Sequence, residues 1–367
     1  MRTSRFIPVL ALGGAIVLVQ LLTLAFGKAF FLTQLTMSAY YTLIVIGLCL
    51  LMGFAGQISL GHAGFFAIGG YTSAVLTTLD LAAYKENPLA AILAKAGVLT
   101  ARQDLYGGSL LSVHPWAACV VAVLLAFVIA WAIGIPVLKL KGHYLAMATL
   151  GFGTIIYSIV LGTQRFGAAD GISSVPPFPL LFGVSVSGDS SLRVLNYYFA
   201  WLLVTVAMVL LLNLISSRVG RALRSIHGAE DAAGAMGVDT ARFKLSTFML
   251  SAVLAAVAGV FLTHYNGGIG PSEASIMKSV RYVAIVAVGG MGSLWGTLIM
   301  SVVLNFLSLR GYFGSFDDAV FGGILILIML FAPDGIIGAD LRKLVGKLTN
   351  LKFVSRKGAK VAKDGED

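Results

Sequence analysis

Apolar runs long enough to cross a bilayer recur along the whole chain, and they leave one class of architecture open. Residues 6–27, 37–53, 60–79, 115–138, 143–163, 196–216, 245–265, 273–289, 294–309 and 318–336 each read as a candidate span. Backbone N–H and C=O groups in hydrocarbon find no water. A run without strand-like alternation must therefore close its hydrogen bonds within itself, as a helix. Composition agrees: 58% of residues are hydrophobic and 11% are charged, against about 25% charged in an ordinary soluble domain. The expected fold is all-α, a polytopic transmembrane helical bundle of about ten spans. Residues 1–338 would form the transmembrane domain and residues 339–367 a basic tail.

Charge orients the runs. With ten spans both ends lie on one side, where segments 1–5, 139–142, 217–244 and 339–367 hold 17 of the 26 Lys and Arg residues. Short basic segments stay in the cytoplasm, so both termini and the 217–244 loop are expected there, with loops 80–114 and 164–195 opposite. The net charge of +10 is accounted for in this way and asks for no nucleic-acid partner. Residues 6–27 exceed the roughly 7–15 residues of a signal-peptide core, which favours a retained first span even though Ala25-Phe26-Gly27 resembles a cleavage site. Cys49 and Cys119 lie in apolar runs and read as small buried hydrophobes. The polar insert from Asp80 to His114 leaves space for a short amphipathic helix over 88–101.

Two segments depart from the lipid-span pattern. From Gly53 to Tyr71 the chain carries six glycines together with Gln57, Ser59 and His62. Broken backbone at membrane depth is tolerated where it is buried in protein or lines a watery cavity, so the pattern predicts a helix break between Gly53 and Gly61. The same glycines would also let helices approach closely, and both readings stand on sequence alone. In an unbroken helix Gln57 and Ser59 would point about 200° apart. The second segment, 217–244, is too polar to span. Glu230 and Asp231 suit a helix start, Ala232, Ala233 and Met236 give a small apolar face, and Gly237 suits a helix stop. One short helix between two turns is expected, either a plain interfacial anchor or a docking element.

These segments carry a family resemblance. Gly56-Gln-Ile-Ser-Leu-Gly-His-Ala-Gly-Phe-Phe-Ala-Ile-Gly-Gly-Tyr71 resembles the signature of permease subunits of branched-chain amino-acid ATP-binding-cassette importers. Asp231-Ala-Ala-x-x-x-Gly237 is similar to the loop by which importer permeases engage their ATPases, with Asp in place of the usual first Glu, or with Glu230 shifted by one. Lys141-Gly-His-Tyr-Leu-Ala-Met-Ala-Thr-Leu-Gly-Phe-Gly153 and Ala169-Asp-Gly-Ile-Ser173 resemble the M-type permease rather than the shorter H-type, and Gly289-Gly-Met-Gly-Ser-Leu-Trp-Gly296 also fits. The resemblance covers about residues 37–338.

It implies a multi-pass protein of the bacterial inner membrane that pairs with a second permease subunit, two cytoplasmic ATPase subunits and a periplasmic substrate-binding protein. It implies leucine, isoleucine or valine as substrate, with urea or short amides as the alternative. Gly56, Gln57, Ser59, Gly61 and His62 would border the translocation pathway. Glu230, Asp231, Ala232, Ala233 and Gly237 would couple to the ATPase. The chain has no phosphate-binding Gly-rich loop, no paired-histidine zinc motif and no nucleophile elbow. It is therefore not expected to be an enzyme, to bind a metal or to need a cofactor. A self-sufficient channel or ion-coupled carrier is the competing class, and would need ionisable groups along a path. Apart from Lys278 and Arg281, near one end of a run, no ionisable residue lies deep in a segment except His62.

Overall fold

The computed structural model describes residues 7–80, 97–103, 109–140, 142–180 and 183–331. Among these residues twelve α-helices carry the fold: α1 (Ile7–Ala25), α2 (Phe30–Cys49), α3 (His62–Thr78), α4 (Pro115–Val137), α5 (His143–Gly162), α6 (Arg193–Ser216), α7 (Arg218–Gly228), α8 (Glu230–Ala235), α9 (Thr240–Asn266), α10 (Ile276–Gly289), α11 (Leu294–Leu309) and α12 (Asp317–Phe331). Helix α2 runs on through a π-helical turn, Leu50–Phe54. Two small antiparallel hairpins, β1 (Leu99–Gln103) with β2 (Ser109–Val113) and β3 (Phe178–Pro179) with β4 (Ser185–Val186), cap one end. The protein is a polytopic helical bundle. Among the described residues six helices, α1, α2 with its π turn, α4, α5, α6 and α9, have the length and apolar composition to cross a membrane.

Helices α2, α3 and α9 form the centre. From Ser38 to Met52 every residue of α2 and its extension is buried, the mark of a helix surrounded by protein rather than lipid. Helix α4 lies outside it and is two-faced. Ala118, Ala122, Ala126, Ala130 and Gly134, one every four residues, are buried towards α3 and α9, while Val120, Leu124, Val128 and Trp131 stand out. A stripe of small residues brings backbones into van der Waals contact, the source of helix association where the apolar solvent gives no hydrophobic drive. The crossing of α3 with α9 is tighter still. A Cβ on Gly69 would strike the Ala256 carbonyl, and one on Gly259 would strike that of Phe66.

Histidine–serine pairs set the direction of that crossing. His62 Nε2 and Ser251 Oγ are 2.7 Å apart, and Ser73 Oγ and His264 Nε2 are also 2.7 Å apart. His62 precedes Ser73 on α3 and Ser251 precedes His264 on α9, so the two helices run parallel.

Several sequence expectations need correction. The second helix begins at Phe30, not near 37. Helix α3 has 17 residues, the lower end of the roughly 17–25 a span needs, while α10 has 14 and α11 has 16, just below it. Helices α10 and α11 instead form a hairpin that turns at Gly290–Ser293, closed by Gly289 against the backbone of Gly296 and Thr297. The amphipathic helix expected over 88–101 lies mainly outside the described residues, and its end is β1. There Leu99, Thr100 and Ala101 pair with Val113, Ser112 and Leu111, and two β-favouring segments override the weak helical pattern. His264 is buried at the end of α9, with Nδ1 2.6 Å from the Pro176 carbonyl. The basic tail, 339–367, lies outside the described residues.

The cations inside the runs are paired. Lys278 Nζ lies 2.9 Å from Glu273 and 4.8 Å from the centre of the Tyr41 ring. Arg281 binds Asp317, Asp318 and Ser308, which ties α10 to the start of α12.

Candidate functional site

The chain leaves the helix at Gly56 and rejoins one at His62. The exit begins with the π-helical turn, where the Gln57 N–H donates to the Leu51 carbonyl at 3.1 Å. Wide turns of this kind leave backbone groups out of the regular ladder and recur at functional sites. Gly56 has φ +68°, the left-handed region a side chain resists, and its Cα faces the His227 ring. Gly53 lies against the Met291 carbonyl, so the break in α2 meets the turn between α10 and α11. Cys49 Sγ, 3.5 Å from the Met291 carbonyl and 3.3 Å from Thr297 Oγ1, fills the same junction.

Side chains tie down the far end of the break. The Leu60 N–H donates to Thr149 Oγ1 at 3.0 Å and the Ala63 N–H to Ser279 Oγ at 3.2 Å. These satisfy amides that no helix serves. Gly61 allows the approach, since a Cβ there would lie 2.6 Å from the Thr149 carbonyl oxygen. The His62 ring is fully enclosed by Phe65 and Phe248 edges, with Nδ1 3.0 Å from Ser59 Oγ and Nε2 2.7 Å from Ser251 Oγ. Ser59 and His62 thus come together as a satisfied joint between the break and α9, with the ring sealed inside it. Gln57 is different. It is 2% exposed, yet neither its Oε1 nor its Nε2 has a partner. A carboxamide left in that state costs on the order of 1–3 kcal/mol.

The polar loop holds two helices where one was expected. Helix α7 carries Val219, Leu223 and Ile226 at helical spacing, with Leu223 and Ile226 buried, and Arg218, Arg221 and Arg224 mask that periodicity in the sequence. The shorter α8 begins at Glu230 and ends at Ala235, capped by Met236 before Gly237 turns with φ +84°. Its apolar residues do not share one face: Ala233 is buried, whereas Ala232 and Met236 point outward, Met236 at 85% exposure. Glu230 accepts from Lys244 Nζ at 2.8 Å, and Lys244 also reaches the Leu138 carbonyl at 3.3 Å. Lys244 is 4% exposed. It joins α8 to the start of α9 and the end of α4. Asp231 is exposed at the same helix start.

The two regions meet. A cleft of about 260 Å³ separates them, walled by Gln57 on one side, by Ile226, Glu230 and Lys244 on the other, and closed at the edges by Leu140 and Leu145. Gly56, Gln57, Glu230 and Asp231 therefore border one space, while Ser59, Gly61 and His62 lie in the packed joint behind it and Ala232, Ala233 and Gly237 lie beyond it. Sequence reasoning missed Lys244, Thr149, Ser251 and Ser279. Lys244 looked like one loop cation among many, and isolated hydroxyls inside apolar helices were the available signal for the others.

Known proteins share this sequence pattern. A family profile described as "Branched-chain amino acid transport system / permease component" matches residues 30–331. The permease protein LivM of the high-affinity branched-chain amino acid transport system of Escherichia coli K12 is 30% identical over 346 residues, covering 87% of this chain and 74% of that protein. LivH of the same strain is 28% identical over 322 residues, covering 84% and 96%. BraD of Pseudomonas aeruginosa is 26% identical over 314 residues, covering 83% and 93%. No solved structure matches the chain.

Proposed function

Because the chain belongs to the family of branched-chain amino acid transport permease components, we propose that it is a permease subunit of an ATP-driven importer of leucine, isoleucine or valine. The observation that carries this reading is the construction of α8. It is a short helix that turns exposed apolar residues, Ala232 and Met236, outward while Glu230 and Lys244 tie its other side to the bundle. An element built in this way can take a push from a docked partner and deliver it to α9. In the proposed assembly the chain pairs with a second permease in the bacterial inner membrane. Two cytoplasmic ATPases complete the assembly, one of them docking on α8 through Asp231, Ala232 and Gly237 with Ala233 packed behind them, and a periplasmic binding protein delivers substrate. Closure of the ATPases would rock the bundles between inward and outward openings, a rigid-body alternating access. The break at Gly56–Gly61 would border the inner part of the route, with the Ser59–His62–Ser251 joint as its hinge to α9. Uptake of labelled leucine by the reconstituted complex, competed with isoleucine, valine, urea and acetamide, tests the substrate class. Competition by urea or acetamide but not by valine would overturn it.

The docking role makes a sharper prediction at Gly237. Its φ of +84° costs a side chain roughly 1–2 kcal/mol, but a Cβ added there would meet no atom within 4 Å, so the space around it is free in the subunit. Gly237→Ala is expected to retain ATPase association, and Gly237→Leu to lose association and uptake while inserting normally. Co-purification of ATPase with Gly237→Leu at wild-type yield, with full uptake, would refute the docking role.

Orientation has its own test. With both termini and the α7–α8 loop cytoplasmic, cysteines placed at the exposed Ser190 and Ser225 should label from opposite sides with an impermeant thiol reagent. Labelling of Ser225→Cys from outside intact cells would reverse the topology.

A further inference from the structure

We propose that the cleft between Gln57 and α8 is a binding site for a free α-amino acid on the face of the subunit that carries α8, distinct from the transport route, through which the transported product restrains the coupling helix. The inference rests on the importer reading for its orientation, and on the cleft itself for its chemistry.

The cleft offers matched polar groups, of which those of Gln57 are unpartnered. Its volume of about 260 Å³ is several times the roughly 30 Å³ share of one water. Gln57, Leu145, Ile226 and Lys244 in its walls are each at most 4% exposed. Lys244 presents a cation and Glu230 a carboxylate 2.8 Å from it. Between helices such a pair complements a zwitterion, whose carboxylate bonds the ammonium of Lys244 and whose ammonium bonds the acid. Gln57 holds one spare acceptor and one spare donor, both buried and unpartnered. A carboxamide serves both ends of an α-amino acid, which an anion or a cation alone cannot do. Leu140, Leu145 and Ile226 offer apolar contact to an aliphatic side chain.

Position gives the site its consequence. The walls come from the helix break, the α7–α8 junction and the start of α9, so one occupant would bridge three elements that meet at the coupling helix. A ligand that binds one arrangement better than another shifts the equilibrium by that difference in affinity. Product accumulating in the cytoplasm would slow further import.

The test uses a cysteine at Gly228, an exposed residue in the cleft wall where a Cβ meets no atom within 4 Å. Inside-out vesicles holding the full complex are labelled with an impermeant maleimide, without ATP or binding protein, and the parent chain gives the background from Cys49 and Cys119. Saturating leucine is expected to slow labelling of Gly228→Cys by about tenfold. Isopentylamine and 4-methylpentanoate, each carrying half of the zwitterion, should give little protection. Gln57→Leu in the same background should remove protection while the complex still assembles. Equal labelling with and without leucine, or equal protection by 4-methylpentanoate, would overturn the site. Leucine uptake in right-side-out vesicles reports on the importer reading separately, so its persistence alongside absent protection would condemn the cleft alone.

Discussion

Alanine at position 53 is expected to prevent the permease from folding to a monodisperse complex. The Gly53 Cα packs directly against the Met291 carbonyl, and the atom that a methyl group would strike is backbone, not the end of a mobile side chain. Relief would require α2 to separate from the α10–α11 turn and would pull Cys49 away from its contacts with Met291 and Thr297. Overpacked cores lose about 1–3 kcal/mol, occasionally more, and a backbone collision belongs at the upper end. Gly64→Ala serves as the comparison. There the nearest atom to a Cβ is Phe152 Cε1 at 3.3 Å, and a ring can yield. Size-exclusion profiles and thermal unfolding of the two detergent-solubilised variants should separate clearly. A wild-type melting temperature for Gly53→Ala would show that this junction opens without cost.

The two uses of glycine weighed for residues 53–71 turn out to operate together. Gly56 takes the left-handed turn that ends the helix, while Gly53, Gly61 and Gly69 allow backbone contact with Met291, Thr149 and Ala256. Composition could reveal that the stretch was unlike a lipid span, because polar groups and glycines are costly there without partners. It could not reveal the partners. Ser251 and Ser279 lie far along the chain from His62 and Ala63, and a hydroxyl inside an apolar helix carries no mark of what it bonds. The limit was similar for the polar loop. Gly237 and the acids at 230 and 231 signalled α8, but the arginines of α7 concealed an apolar stripe only three residues wide. The shortness of α10 and α11 was hidden for the opposite reason: both are apolar throughout their inner ends, and hydropathy does not distinguish a span from half of a hairpin.

Lys244 was legible only as a charge, and its burial leads to the second large expected effect. Glu230→Ala would leave a 4%-exposed ammonium with the Leu138 carbonyl as its remaining hydrogen-bond acceptor. Removing one partner of a fully buried pair costs about 3–5 kcal/mol. The Glu230 side chain is 28% exposed, so water already screens the pair and the expected loss is smaller. Lys244→Met keeps the packed stem and returns Glu230 to solvent, and should cost less. In the double variant neither charge remains to be stranded, so its loss should fall below the sum of the two single losses, the signature of direct interaction. The functional readout should move as well. Once α8 is untied from α9, ATP hydrolysed per leucine imported should rise in Glu230→Ala and Lys244→Met alike, even where the complex remains folded. Thermal unfolding and the hydrolysis-to-transport ratio, measured on the same reconstituted complexes, check both parts. Strict additivity in the cycle with an unchanged ratio would mean that the ion pair is a surface contact that takes no part in coupling.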